Sequence, residues 1–215
     1  MFSIGIPTLN RADLLVPSLK KYVKDFEGID IHIVDNGNQD ELQSFDNIKV
    51  EKRANNLGVA TSWNRLCREI FKTKDWALLI NDDIYLGYGT DVVNNAINNS
   101  HNGIVQSSLN FSVILICKDL YEYIGKFDEK FYPAYYEDSD YIYRLKLNGL
   151  THDVDTTLNP IEARISQTYE KAPDLVNAAM QSSRERYIRK WGNIPLLETF
   201  KTPFNDDNTK INRLK

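Results

Sequence analysis

Several common architectures are excluded by what this 215-residue sequence lacks. Two cysteines, Cys67 and Cys117, are too few for a disulfide framework and wrongly spaced for a zinc site. Both fall within apolar patterns, which reads as buried thiols in a reducing, cytoplasmic compartment. Three histidines, His32, His101 and His152, show no mutual spacing of metal ligands, and only His152 lies in the carboxylate-rich half. No apolar run approaches the roughly 20 residues of a membrane span; the longest, Trp76–Ile80 and Val113–Cys117, are strand-sized. Phe2-Ser3-Ile4-Gly5-Ile6 has neither a basic flank nor an apolar core ahead of it, so no signal peptide is expected. Positive charge is not in excess: 26 Lys plus Arg against 30 Asp plus Glu give a net charge of −4. That balance argues against a nucleic-acid partner, which needs a basic face. Neither G-x-x-x-x-G-K-[ST] nor G-x-G-x-x-G occurs, which speaks against a P-loop enzyme or a dinucleotide-binding dehydrogenase.

What is present is an alternation of strands and helices. Short β-rich runs appear at Phe2–Ile6, Ile29–Val34, Ile48–Glu51, Trp76–Ile80 and Ser112–Cys117. Between the first two, Leu15, Leu19, Tyr22, Val23 and Phe26 recur at helical spacing, with Pro17 expected in the first turn. Val59, Trp63, Leu66, Cys67, Ile70 and Phe71 form a second such stripe. This rhythm predicts an α/β fold, a mostly parallel sheet with helices on both faces and a mixed second half. A further helix is expected over Asp174–Trp191. Residues 1–200 read as one domain, and 201–215 as a polar tail or linker suited to a chain fused to further domains at its carboxyl end.

Ligands of such sheets gather at the carboxyl ends of the strands, and those ends are rich in polar residues here. Pro7-Thr8-Leu9-Asn10-Arg11 follows the first strand, Asp35-Asn36-Gly37 the second, and Asn81-Asp82-Asp83 the fourth. Adjacent carboxylates at a strand end are costly unless neutralised, and a hard divalent cation such as Mn²⁺ or Mg²⁺ would do so. An acidic turn capping the next segment explains the same string. Asp35 suits the N3–H of uracil, or equally an Asx-turn with Asn36-Gly37. Asn55-Asn56-Leu57-Gly58 opens the helix that carries Asn64, and a helix start with Gly58 suits phosphate, although such caps are common. Glu137-Asp138-Ser139-Asp140 follows an aromatic run ending in Tyr135-Tyr136. The helix dipole accounts for some of these acids, and a carboxylate beside an aromatic pocket is placed to act as a general base.

Taken in order, these strings resemble a family-2-type glycosyltransferase with the GT-A fold, over about residues 2–192. Ser3–Arg11 resembles the opening strand and nucleotide loop of that family, and Val34-Asp35-Asn36-Gly37 its uracil-reading acid. Leu79–Asp83 resembles the D-x-D region, with Asn81 replacing the first acid. Gly125-Lys126-Phe127-Asp128-Glu129 leading to Tyr136-Glu137-Asp138 resembles the approach to the acceptor-site acids, and Arg189-Lys190-Trp191-Gly192 a string near the domain end. The resemblance implies an inverting transfer of one sugar, glucose or rhamnose foremost, from a UDP-sugar to a hydroxyl of a glycan or glycoprotein acceptor. It implies that Pro7, Thr8, Asn10, Arg11, Asp35, Asn56, Gly58, Asn64 and Asn81 face the donor. Asp83 and Asp82 would hold the cation, Asp138 would be the base, and Glu137 and Tyr136 would line the acceptor side. Ile161–Ser166 lacks the His ligand often found there, and no Q-x-x-R-W string of processive synthases occurs. A sugar nucleotidyltransferase or a non-catalytic carbohydrate-binding module stands as the alternative.

Overall fold

The structure is a computed structural model that describes residues 1–163 and 173–208. In chain order its first half contains β1 (Phe2–Thr8), α1 (Ala12–Asp25), β2 (Ile31–Asp35), β3 (Ile48–Lys52), α2 (Val59–Ile70) and β4 (Trp76–Ile80). There follow β5 (Ile84–Tyr85), α3 (Thr90–Asn99), β6 (Ile104–Ser107), β7 (Asn110–Cys117) and α4 (Lys118–Ile124). The remainder contains α5 (Glu137–Leu147), β8 (Asp153–Val154), β9 (Glu162–Ala163) and α6 (Pro173–Trp191).

Seven strands form one sheet in the order β3-β2-β1-β4-β7-β6-β8. β3, β2, β1 and β4 run parallel, with Ile4 opposite both Ile31 and Leu78. β7 then turns antiparallel to β4, pairing Trp76 with Cys117. β1 is buried along its whole length, as a central strand covered on both faces must be. α1 lays Leu15, Leu19 and Tyr22 on one face of the sheet, and α2 lays Trp63, Leu66, Cys67 and Ile70 on the other. A smaller cluster of Phe131, Tyr143, Tyr187 and Trp191 joins α5 to α6.

Three details depart from expectation. Pro17 is the sixth residue of α1 rather than a first-turn residue. It faces solvent, so the carbonyl it leaves without a helical donor can bond water. Cys117 is only half-buried, its sulfur accepting the Leu120 amide at 3.4 Å, whereas Cys67 is fully buried. The packed body continues past residue 200. Pro203 is buried, Phe204 lies under the Arg186 guanidinium, and the Phe200 carbonyl accepts the Tyr143 hydroxyl at 2.8 Å. Pro203 alone gave that polar stretch an apolar side chain to bury, since Phe204 stays exposed.

Candidate active site

Because β1, β2 and β4 are adjacent and parallel, their carboxyl ends bring three loops to one edge of the sheet. Pro7 lies buried within β1 opposite Val34, just before the loop begins. Thr8 ends the strand, Asn10 takes a left-handed φ of 54°, and Arg11 is buried with its Nε 3.2 Å from Asp13. Asn81, Asp82 and Asp83 follow β4, half-buried. Burial pushes the Asp82 carboxyl up to about 6 and Asp83 adds to it, against the Thr8 hydroxyl, the Arg11 charge and the Leu9 amide. Burial likewise raises Asp83, opposed by its own amide and by Arg11. Thr8, Arg11, Asp82 and Asp83 thus form one electrostatic unit.

Two adjacent carboxylates held partly out of water, with only oxygen donors nearby, fit a hard divalent cation. Such an ion takes one or two protein carboxylates and completes its shell with phosphate oxygens and water. Among the described residues no group of three His, Cys, Asp or Glu side chains gathers. β9 pairs with β5 so that Ala163 stands opposite Ile84, the neighbour of Asp83. Arg164, Ile165 and Ser166, where a third ligand was sought, lie outside the described residues. His152 is elsewhere. It precedes β8, whose Asp153 pairs with Val105 near the start of β6, at the amino-end edge of the sheet.

Asp35 serves its own loop. One carboxylate oxygen accepts the Gly37 amide and the Gln39 side chain, both at 3.0 Å, and the other accepts the Gln39 amide at 2.6 Å. This is the Asx-type turn foreseen as one of its two readings. Asn36 then ties three segments together. Its amide donates to the Thr8 carbonyl, its side-chain oxygen accepts from Leu57, and its side-chain nitrogen donates to Ser62.

The residues expected at the start of α2 are spent on structure. Asn56 accepts the Gly58 amide at 2.9 Å, closing a turn. Gly58 has φ +79°, and a Cβ there would sit 2.8 Å from the Pro133 carbonyl oxygen and 2.9 Å from the Tyr132 ring. The same carbonyl accepts the Val59 amide, so the first helical N–H of α2 is capped from within the protein and is not open to phosphate. Asn64 needs a firmer correction as a donor-facing residue. Its oxygen accepts from the Tyr121 hydroxyl and the Phe127 amide, and its nitrogen donates to the Phe127 carbonyl and to Glu129. All of its hydrogen-bonding capacity is consumed in clamping α2 to the 127–129 turn.

That turn leads to the second group of acids. Tyr135 and Tyr136 both take left-handed φ values, 77° and 68°, immediately before Glu137 and Asp138 open α5. Consecutive non-glycine residues in this region are strained and concentrate at functional sites. Asp138 accepts the Ser139 amide at 2.6 Å and its hydroxyl at 3.3 Å, and burial raises its carboxyl. Glu137 is buried, with Oε2 lacking any hydrogen-bond partner. Burial, reinforced by the Asp138 charge, pushes Glu137 up to about 8. At neutral pH burial thus favours the protonated form of Glu137. A relay of hydrogen bonds leads from the loop after β1 toward α5: Asn36 to Thr8, Leu57 to Asn36, and Val59 to Pro133, four residues before Glu137.

What the sequence did not disclose is how these acids are held. Lys190, buried on α6, donates to Asp128 at 2.8 Å and lies 2.5 Å from Asp140. Asp140 also accepts from Arg144 at 3.0 Å and from the Trp191 indole at 2.8 Å, and Asp128 accepts from Arg186 at 2.7 Å. Despite burial, Lys190 and Arg186 hold the Asp128 carboxyl down to about 2. The Gly125–Glu129 and Arg189–Gly192 strings are thus two sides of one buried latch under the head of α5. The only local signal was a lysine set beside Trp191 in the last turn of a helix.

A parallel sheet that switches direction after β4, with ligand loops at its carboxyl ends and acids after β4 and at the head of α5, defines the GT-A class of glycosyltransferase folds. Residues 3–110, half of the chain, match the family model described as glycosyl transferase family 2. The chain belongs to that family. Solved structures agree in fold. One is a mannosyltransferase from Pyrobaculum calidifontis in complex with GDP-mannose and Mn²⁺, 15% identical, with a TM-score of 0.64 over 87% of this chain and 64% of that one. This chain therefore spans less than two thirds of that enzyme. Another is the catalytic domain of Drosophila β1,4-galactosyltransferase 7 with xylobiose, 14% identical, TM-score 0.53, covering 79% of this chain and 72% of that one. A variant of the same enzyme, holding manganese, UDP-galactose and xylobiose, aligns over the same shares at 13% identity and a TM-score of 0.52. No curated protein matches the sequence.

Proposed function

We propose that this chain is an inverting, divalent-metal-dependent glycosyltransferase that moves one sugar, glucose or rhamnose foremost, from a UDP-sugar to a hydroxyl of a glycan or glycoprotein acceptor. The observation that carries this reading is the unit of Thr8, Arg11, Asp82 and Asp83 at the carboxyl edge of the sheet. Thr8 and Arg11 orient the donor diphosphate, and Asp82 and Asp83 hold the cation. When bound, Mn²⁺ or Mg²⁺ supplies positive charge where negative charge grows on the departing diphosphate. Asp138 accepts the proton of the acceptor hydroxyl as that oxygen forms its bond to the anomeric carbon. Glu137, which burial keeps largely protonated at neutral pH, adds no full negative charge beside it. Attack by one activated hydroxyl opposite the leaving group inverts the anomeric centre, since no enzyme-bound sugar intervenes. The free thiols of Cys67 and Cys117 support work in a reducing, cytoplasmic setting.

A panel of nucleotide sugars, screened by thermal shift with and without Mn²⁺, tests the assignment. The expected result is a rise in Tm that needs both a UDP-sugar and the metal, followed by UDP release when an acceptor is added. No shift from any nucleotide sugar would remove the reading. Pyrophosphate release from a nucleoside triphosphate and a sugar 1-phosphate would favour the nucleotidyltransferase instead.

A further inference from the structure

A second concavity, separate from the loops at the carboxyl edge, opens on the outer face of α2. It is a cleft of about 400 Å³ that runs along α2 from Thr61 to Phe71 and is closed by α4 and the 126–129 turn. One end reaches the amino edge of the sheet at Lys118, whose amide donates to the Asp75 carbonyl just ahead of β4, and the other end reaches Thr61 near the start of α2. Five cations line the cleft against two carboxylates, in a protein whose overall charge is −4.

Two of those cations are already neutralised. Arg65 is paired with Glu51, and Lys72 with Glu69. Arg68, Lys118 and Lys126 have no side-chain hydrogen bond or ion pair among the described residues. They come from three different segments, so no single solvated helix face accounts for their meeting. The negative end of α2 favours Arg68. Lys118 gains nothing comparable, because it is the first residue of α4, where a helix repels positive charge. Phe71 and Tyr121, with ring centroids 5.5 Å apart, form an apolar wall. Like charges converging on a concave surface repel one another, and an anion seated among them reverses the sign of that interaction.

We propose that this cleft binds a small polyanion carrying two or more phosphoryl groups. Arg68 grips it through its planar fork, and Lys118 and Lys126 close around it as point charges. Its volume lies in the range of small-ligand pockets, and Arg68, Lys118 and Lys126 outnumber the two carboxylates of the lining, Glu122 and Glu129. The proposal does not depend on the sugar-transfer reading.

Inorganic tripolyphosphate, titrated calorimetrically into metal-free protein in EDTA, is the probe. Binding is expected, weakening as salt rises, with affinity at least tenfold lower in the Arg68→Gln, Lys118→Gln, Lys126→Gln triple variant. Arg68 and Lys126 are exposed and Lys118 is partly buried, and an unchanged Tm verifies that the variant folds. Arg68→Gln alone is expected to weaken binding about threefold. Arg11→Gln, at the donor edge, is expected to leave it unaltered. No binding, or binding lost with Arg11→Gln and kept in the triple variant, overturns the proposal. Sedimentation with phosphatidylcholine vesicles containing phosphatidic acid separates the two sources of phosphate. Binding of tripolyphosphate alone indicates a soluble ligand, and binding of both indicates a lipid headgroup. Vesicle binding without tripolyphosphate binding means a flat charged surface and also overturns the proposal.

Discussion

Glu137 and Asp138 are neighbours in sequence with similar chemistry, and burial raises both carboxyls, with the Asp138 charge adding to the rise at Glu137. Asp138→Asn removes the proton acceptor and leaves the donor edge alone. Turnover should fall about 10²–10⁴-fold with UDP-sugar affinity retained in equilibrium titration; a matching loss of affinity would contradict the assigned role. Glu137 makes a separate prediction about stability. In the unfolded chain it ionises near pH 4, whereas in the folded protein its carboxyl is pushed up to about 8. Between those values the folded state binds more protons, so stability falls as pH rises from about 4 to about 8. Glu137→Gln should flatten that decline, by on the order of a few kcal/mol between its ends. Urea unfolding at pH 5 and pH 8 measures it, and an unaltered slope in the variant would refute the cause. The acids themselves were legible because each stands at a local boundary: a strand-sized apolar run before Asp82, an aromatic run before Glu137. The role of Asn64 was not. A polar residue at the start of a helix reads alike whether it faces a ligand or the Tyr121 hydroxyl.

At the scale of elements, the strands and helices with strong periodicity stand where their residues predicted. Trp76–Ile80 and the Val59–Ile70 stripe agree closely, and the expected Asp174–Trp191 helix begins one residue earlier. β6, β8 and β9 escaped notice because four or two residues carry too little alternation to stand out. The latch between α5 and α6 escaped for another reason: Lys190 and Asp128 are 62 residues apart, and nothing local joins them. Its energetic weight is testable. Lys190→Met leaves two buried carboxylates short of a cation, which should cost about 3–5 kcal/mol. Urea unfolding monitored by tryptophan fluorescence reports it, and a loss under about 1 kcal/mol would show that Arg144 and Arg186 suffice.

The whole molecule separates its two kinds of acid by topology. The parallel half of the sheet supplies the loops that meet at Asp82 and Asp83, and the later helices supply Glu137 and Asp138. Only the first half was readable as a topology from the sequence, because right-handed crossovers leave few options, whereas β7 could run either way beside β4. A ligand that binds only the native state stabilises it by about 2.7 kcal/mol at 100 times its dissociation constant. UDP-sugar with Mn²⁺ should therefore raise Tm in the parent protein. EDTA should abolish the rise, and so should Asp83→Ala. A shift that survives both would mean that donor binding bypasses these carboxylates.

Lys190 follows β7 by some seventy residues, and this imposes an order of events on synthesis. A ribosome has released everything needed for Thr8, Arg11, Asp82 and Asp83 to meet once β7 has emerged. The strained entry to α5 gains its anchor only when some seventy further residues have followed. The half that carries Asp82 and Asp83 can close early, while the half that carries Glu137 and Asp138 stays unfastened until α6 has emerged.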